Sequence, residues 1–181
     1  MYKRQPTDST LHLQGVSEAI IYFVNETSYN GFDKHPVTEG APYIEKVADD
    51  AWHLVNYTYP ELRQRHVNDY KQFFDRTRFI LKGARYDTQR NTEQQLLDYT
   101  KKQEQNPYLE MLYFQFGRYL LISCSRTPGV PANLQGLWAP ARLSPWRGNY
   151  TTNINLEENY WPAEVANLSE LTMPVEGLVK A

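Results

Sequence analysis

The stretch NPYLEMLYFQFGRYLLIS, residues 106–123, decides the reading of the fold. Leu109, Met111, Leu112, Tyr113, Phe114, Phe116, Tyr119, Leu120, Leu121 and Ile122 make a helix here apolar nearly all round. A helix apolar all round is expected inside a larger body. Asn106 is a plausible cap, and Pro107 fits the first helical position, where its missing N–H costs nothing. Upstream, Thr92 reads as the cap of a helix beginning at Glu93, after a polar stretch from Lys82 to Arg90.

Further toward the N-terminus, Tyr43, Val47, Ala51, Leu54 and Val55 fall near helical spacing. Tyr59-Pro60 breaks that pattern and can open a second helix. In it, Leu62, His66, Tyr70, Phe73 and Phe74 recur at steps of three and four and form one apolar face. His66 lies on that face beside Asp69 and Tyr70, so a packing histidine is the plainer reading than a catalytic one. Residues 25–42 are rich in turn formers and read as a loop. Residues 10–24, TLHLQGVSEAIIYFV, read as two short strands around Gly15. An isolated hairpin is marginal in water, so these strands are expected to join a larger sheet.

Toward the C-terminus, residues 124–152 carry four prolines and three glycines and read as a long irregular loop. Loops of that length inside compact domains are usually functional or disordered. Residues 153–168 then read as a helix that Pro162 kinks or restarts.

Composition limits the function classes. The net charge of −2, with no basic run, carries no nucleic-acid footprint. No stretch approaches the length of a membrane span. The first ten residues, MYKRQPTDST, lack the apolar segment of a signal peptide. Cys124 is the only cysteine, which excludes an internal disulfide, and its apolar setting reads as an inert buried thiol. No His or Cys cluster has metal-ligand spacing.

The residues with the most chemistry lie between 133 and 161. Asn133, Gln135, Trp138, Trp146, Asn149, Thr151, Thr152, Asn153, Asn155, Asn159 and Trp161 crowd this segment. Primary amides both donate and accept, as sugar hydroxyls require. Tryptophan faces match the C–H face of a pyranose, so a carbohydrate site is the expectation. The plainer reading of any one asparagine is a cap or a turn.

GRYLLISCSRTPGVPANLQGLW and NYTTNINLEENYWPAEVANLSEL closely resemble the opening of the catalytic (α/α)6 barrel of family 95 glycoside hydrolases, the α-L-fucosidase and α-L-galactosidase family. ETSYNGFDKHPVTEG and HVNDYKQFFDR also look like segments of that family, and the likeness runs over residues 10–181. The resemblance implies a mainly α chain with a short N-terminal β portion. Residues 1–33 would end a β-sandwich domain, 34–88 would form a helical linker, and 89–181 would be the first barrel helices. Such a barrel needs twelve helices, so the chain is expected to be an internal piece of a longer enzyme.

The implied reaction is inverting hydrolysis, in which an acid protonates the leaving oxygen and a base activates water on the opposite face. In the family, an Asn-x-Asn motif orients that water. Asn153 and Asn155 match it, while the acid Glu and base Asp would lie beyond Ala181. Glu157, Glu158 and Glu164 are expected to face solvent, pair or cap. Thr151, Gln135, Trp138, Asn133 and Trp146 are the substrate-binding candidates. Fucosidases of the family usually read His-Thr-Asn-Ile-Asn where this chain reads Thr151-Thr152-Asn153-Ile154-Asn155. The first of these positions faces carbon 5 of the sugar in the family. A threonine there leaves room and a hydroxyl for the hydroxymethyl of L-galactose. The resemblance implies no cofactor and no metal, a glycan as partner together with the rest of the parent polypeptide, and a periplasmic or secreted parent. Two alternatives remain open, a non-catalytic carbohydrate-binding module and a helical interaction domain. A binding module should form a self-contained fold, whereas the edge strands and buried helices expected here need partners outside the chain. An interaction domain leaves the amide- and Trp-rich loop unexplained.

Overall fold

The computed structural model describes residues 12–139 and 141–180. Seven α-helices run through it: α1 Tyr43–Leu54, α2 Tyr59–Phe74, α3 Thr92–Lys102, α4 Pro107–Cys124, α5 Asn155–Tyr160, α6 Pro162–Val165 and α7 Met173–Lys180. Single 3-10 turns lie at Pro145–Gly148 and Ser169–Thr172. The chain divides into two compact units, residues 1–64 and 65–181, with the division inside α2.

In the first unit the loop before α1 is built by its own polar groups. Asn30 Nδ2 donates to the Glu39 carbonyl at 2.8 Å, and Ala41 N donates to the Ser28 carbonyl at 3.0 Å. Gly40 sits so close that a Cβ would lie 2.2 Å from the Pro36 oxygen. The strands expected over residues 10–24 lie partly outside the described residues. Leu11 lies outside the described residues, and residues 12–30 are extended or irregular, with no strand among the described residues. Strand structure needs a hydrogen-bonding partner, and here Ile21 and Phe23 stand bare at 74% and 83% exposure.

The core belongs to the second unit. Leu121 and Ile122 of α4 pack with Ala163, Ala166, Leu168 and Leu171, and Tyr70, Phe73, Phe74, Phe114 and Tyr160 close around them. The apolar face read for α2 therefore does its packing through its C-terminal half. His66 at the edge is exposed and stacks on Tyr70, with centroids 6.5 Å apart.

Arg118 is the largest fully buried side chain, 1% exposed. Its guanidinium donates to the carbonyls of Phe73 (3.1 Å), Phe74 (2.9 Å) and Thr77 (3.2 Å), and to Gln115 Oε1 (2.8 Å). The last carbonyls of a helix lack intrahelical donors. Arg118 thus closes the end of α2 from α4. Phe73 is flanked by two guanidinium groups, those of Arg76 and Arg126, each 4.8 Å from its ring centroid. Each of these arginines is itself paired, Arg76 with Glu170 and Arg126 with Asp69.

The caps follow local chemistry. Asn106 Oδ1 accepts from Leu109 N at 2.9 Å, and Pro107 opens α4 as expected. The cap of α3 is Asn91 rather than Thr92. Asn91 and Gln94 form a reciprocal box in which each side chain accepts from the other's N–H. Helix α4 is not covered on all sides by the described residues. Leu109, Leu121 and Ile122 are buried, while Tyr113 and Phe116 are 80% and 51% exposed. Cys124 is buried, and desolvation pushes its thiol up to about 11.

Candidate functional site

The amide-rich segment leaves α4 at Cys124, crosses a long connection and re-enters helix at α5. Two turns within it carry the candidates. The first is closed by a bridge between Asn133 and Gly136, whose N–H groups donate to each other's carbonyls at 3.3 and 3.0 Å. Asn133 Oδ1 accepts from Gln135 N at 3.0 Å, an Asx turn that spends the amide oxygen on its own loop. Gly136 has φ +72°, and a Cβ there would lie 2.4 Å from the Trp138 ring. The glycine is therefore what lets the indole lie against the turn.

An alanine at Gly136 is expected to cost about 1–3 kcal/mol, from left-handed strain and the clash together. Chemical denaturation of the full-length polypeptide would measure it. The added change Trp138→Ala is expected to recover part of the loss, as coupling in a double-mutant cycle. Strictly additive losses would refute the contact.

The second turn is Thr151–Asn155. Thr151 N donates to Asn149 Oδ1 at 3.0 Å, and Leu156 N donates to the Thr151 carbonyl at 3.2 Å. Asn153 is exposed, and its Oδ1 accepts from Ile154 N at 2.9 Å, while its Nδ2 makes no hydrogen bond among the described residues. Asn155 opens α5 half-buried, and its amide forms no hydrogen bond among the described residues. Thr151 has φ +47°. A β-branched residue in that region is an outlier, and such strain clusters at ligand-binding sites.

The two turns are tied together. Leu134 N donates to the Asn149 carbonyl at 3.3 Å. Asn159 Nδ2 donates to the Asn133 carbonyl at 2.7 Å and to that of Ala132 at 3.4 Å. Trp138 and Trp146 present 43% and 75% of their surface, and Gln135 is half-buried. Trp146 and Arg147 are consecutive left-handed residues, φ 58° and 56°. Glu157, Glu158 and Glu164 are exposed, as the sequence reading expected. Among the described residues no group of three or more His, Cys, Asp or Glu side chains could hold a metal ion. None of their helices is long and apolar enough to cross a membrane.

Sequence reasoning passed over Tyr160. Its hydroxyl lies in a hydrogen-bonded chain under the first turn, and only the fold brings those partners together. Asn159 was visible as one amide among many, with nothing local to single it out.

The second unit is mainly helical, with exposed tryptophans and an exposed Asn153 on two turns tied to each other. The Glycosyl hydrolase family 95 catalytic domain matches residues 58–181, and the chain belongs to that family. It is 36% identical over 166 residues to "Probable alpha-fucosidase A" of Aspergillus niger, covering 90% of this chain and 21% of that protein. A protein of the same description from Aspergillus oryzae is 37% identical over 136 residues, covering 75% of this chain and 18% of the relative. "Alpha-L-fucosidase 2" of Arabidopsis thaliana is 32% identical over 170 residues, covering 91% and 20%. The chain spans about a fifth of the length of these curated relatives.

Proposed function

We propose that this chain supplies the water-positioning and part of the sugar-binding side of an exo-acting, inverting glycoside hydrolase. The bond cleaved joins α-linked L-fucose or L-galactose to a glycan. Asn153 and Asn155 hold the attacking water through their amides, which orient it without adding charge. Thr151, Asn133, Gln135, Trp138 and Trp146 contact the sugar. The acid Glu and the base Asp come from chain beyond residue 181, and the whole enzyme works on glycans in the periplasm or outside the cell. Residues 1–33 end a β-sandwich domain, 34–88 link it to the barrel, and 89–181 begin the barrel. The observation that carries the reading is the family match over residues 58–181, together with an Asn-x-Asn turn whose amides are not buried.

Hydrolysis of an aryl α-L-fucoside and an aryl α-L-galactoside by the full-length gene product tests it. Proton NMR is expected to show the β-anomer of the free sugar first. A first-formed α-anomer would refute inversion.

Thr151 sharpens the choice of sugar. Its hydroxyl is a partner for the hydroxymethyl that L-galactose carries and L-fucose lacks, and a site built to bond a hydroxyl discriminates against the analogue without it. The galactoside is therefore expected to be cleaved at least as efficiently as the fucoside. Histidine tolerates positive φ better than threonine. Thr151→His is expected to raise stability by about 1 kcal/mol as strain is relieved. It is also expected to shift kcat/KM toward the fucoside by roughly tenfold or more. A wild-type enzyme with a large fucoside preference would refute the role of Thr151.

A further inference from the structure

Beneath the first turn runs a chain of hydrogen bonds with one possible direction. Ala132 N donates to the Tyr160 hydroxyl at 2.7 Å. The Tyr160 and Ser125 oxygens lie 2.6 Å apart, and Ser125 Oγ is 2.8 Å from the Leu171 carbonyl. A carbonyl only accepts, so the single hydroxyl proton of Ser125 goes to Leu171. Tyr160 must then donate to Ser125, and its oxygen is left to accept from Ala132. Ser125, Ala132 and Leu171 are buried, at 0%, 2% and 2% exposure. Burial also raises the Tyr160 phenol above its ordinary value and keeps its proton in place.

The neighbouring residue works on the same segment. Asn159 Nδ2 reaches the carbonyls of Asn133 and Ala132, so the last two residues of α5 hold both sides of the 132–133 backbone. The first residue of α5 is Asn155, and the turn that feeds it carries Asn153. Six residues of helix span only about 9 Å, too short to flex. The spacing between the Asn133–Gln135 turn and the Asn153–Asn155 turn is therefore set by α5 acting as a strut.

We propose that Asn159 and Tyr160 are positioning residues, which hold the sugar-contacting turn at a fixed distance from the water-holding amides. This rests on the function proposed above for Asn153 and Asn155. Neither side chain touches substrate. Their effect acts through the placement of others, and a displacement of about 1 Å at a reacting centre costs on the order of 100-fold.

The test uses the full-length enzyme and an aryl α-L-fucoside or α-L-galactoside. Tyr160→Phe keeps the ring and removes the hydroxyl. It is expected to lower kcat by about tenfold or more with little change in KM, because orientation and not affinity is lost. Thr77→Val is the matched control. It removes one hydroxyl bond of the same unit, the 2.7 Å donation to the Ala166 carbonyl, away from both turns. It is expected to lower the melting temperature comparably while leaving kcat unchanged.

Asn159→Asp adds a readout that simple destabilisation does not move. A carboxylate facing two carbonyl oxygens repels them, whereas a carboxylic acid donates as the amide did. Activity relative to wild type is expected to rise as pH falls from 7 toward 5. Equal kcat losses in Tyr160→Phe and Thr77→Val, or a pH profile of Asn159→Asp parallel to wild type, would overturn the proposal. If Asn153→Ala and Asn155→Ala leave hydrolysis intact, the underlying function falls instead. If those two abolish it while Tyr160→Phe does not, only the positioning role falls.

Discussion

Asn155→Ala in the full-length enzyme is expected to lower kcat by roughly 10²–10⁴-fold, with KM for an aryl glycoside changed far less. Its amide stands at the head of α5, half-buried and with no hydrogen bond to the described protein. A group so placed stabilises the fold little, so its removal is expected to leave the melting temperature within a degree or two. Asn153 differs, because its oxygen already accepts from Ile154 N at 2.9 Å. Truncating it removes that local bond as well as the Nδ2 donor. Asn153→Asp separates the two effects, since a carboxylate still accepts from Ile154 but cannot donate outward. It is expected to fold like wild type and lose activity like Asn153→Ala. Steady-state kinetics and a melting curve on the same three variants give the answer. Near-wild-type kcat in both alanine variants would remove the amides from the reaction.

Arg118→Met is expected to destabilise the protein by about 3 kcal/mol, the largest loss from one side chain in the second unit. Methionine fills much of the arginine's length but donates nothing. The carbonyls of Phe73, Phe74 and Thr77 then lose a donor at a part-buried helix end. Each unsatisfied buried group costs about 1–3 kcal/mol, partly offset because a charge no longer has to be desolvated. Arg118→Lys is expected to recover only part of the loss, since one ammonium cannot span carbonyls that a planar fork reaches together. Urea titration or thermal melting of the full-length protein would measure both. A methionine variant within about 1 kcal/mol of wild type would mean that the end of α2 finds other donors.

The two expectations differ because burial separates their causes. Arg118 is 1% exposed and makes four hydrogen bonds, so its energy is spent on the fold. Asn153, exposed, and Asn155, half-buried, keep hydrogen-bonding capacity unspent among the described residues, which is what a ligand or a water requires.

Helices α1 to α4 were legible in the chain because their determinants lie within a few residues of one another. Asn106-Pro107 announced α4, and Pro60 in the first turn announced α2, since a cap or a missing N–H acts on its own turn. Asn91 displaced Thr92 as the cap of α3 because Gln94 could answer it, a competition between neighbours that residue preference alone left close. No strand forms among the described residues 12–24, for the opposite reason. A β-branched run records only that a pleated surface would suit it, and the partner that makes it a strand is non-local.

Residue types alone marked the segment from Asn133 to Trp161 as suited to sugars, because amides and indoles carry that chemistry wherever they sit. Which amides keep a free group, and which are spent on the backbone, was decided by the tertiary structure. Asn133 and Asn149 use their side-chain oxygens on their own turns, while Asn159 reaches across 26 residues to the Asn133 carbonyl. Tyr160, Ser125 and Leu171 are 35 and 46 positions apart from one end of the chain of bonds to the next. Hydrogen bonds act over about 3 Å, and the sequence holds no record of which distant groups will come that close until the core around Ile122 and Leu168 has packed.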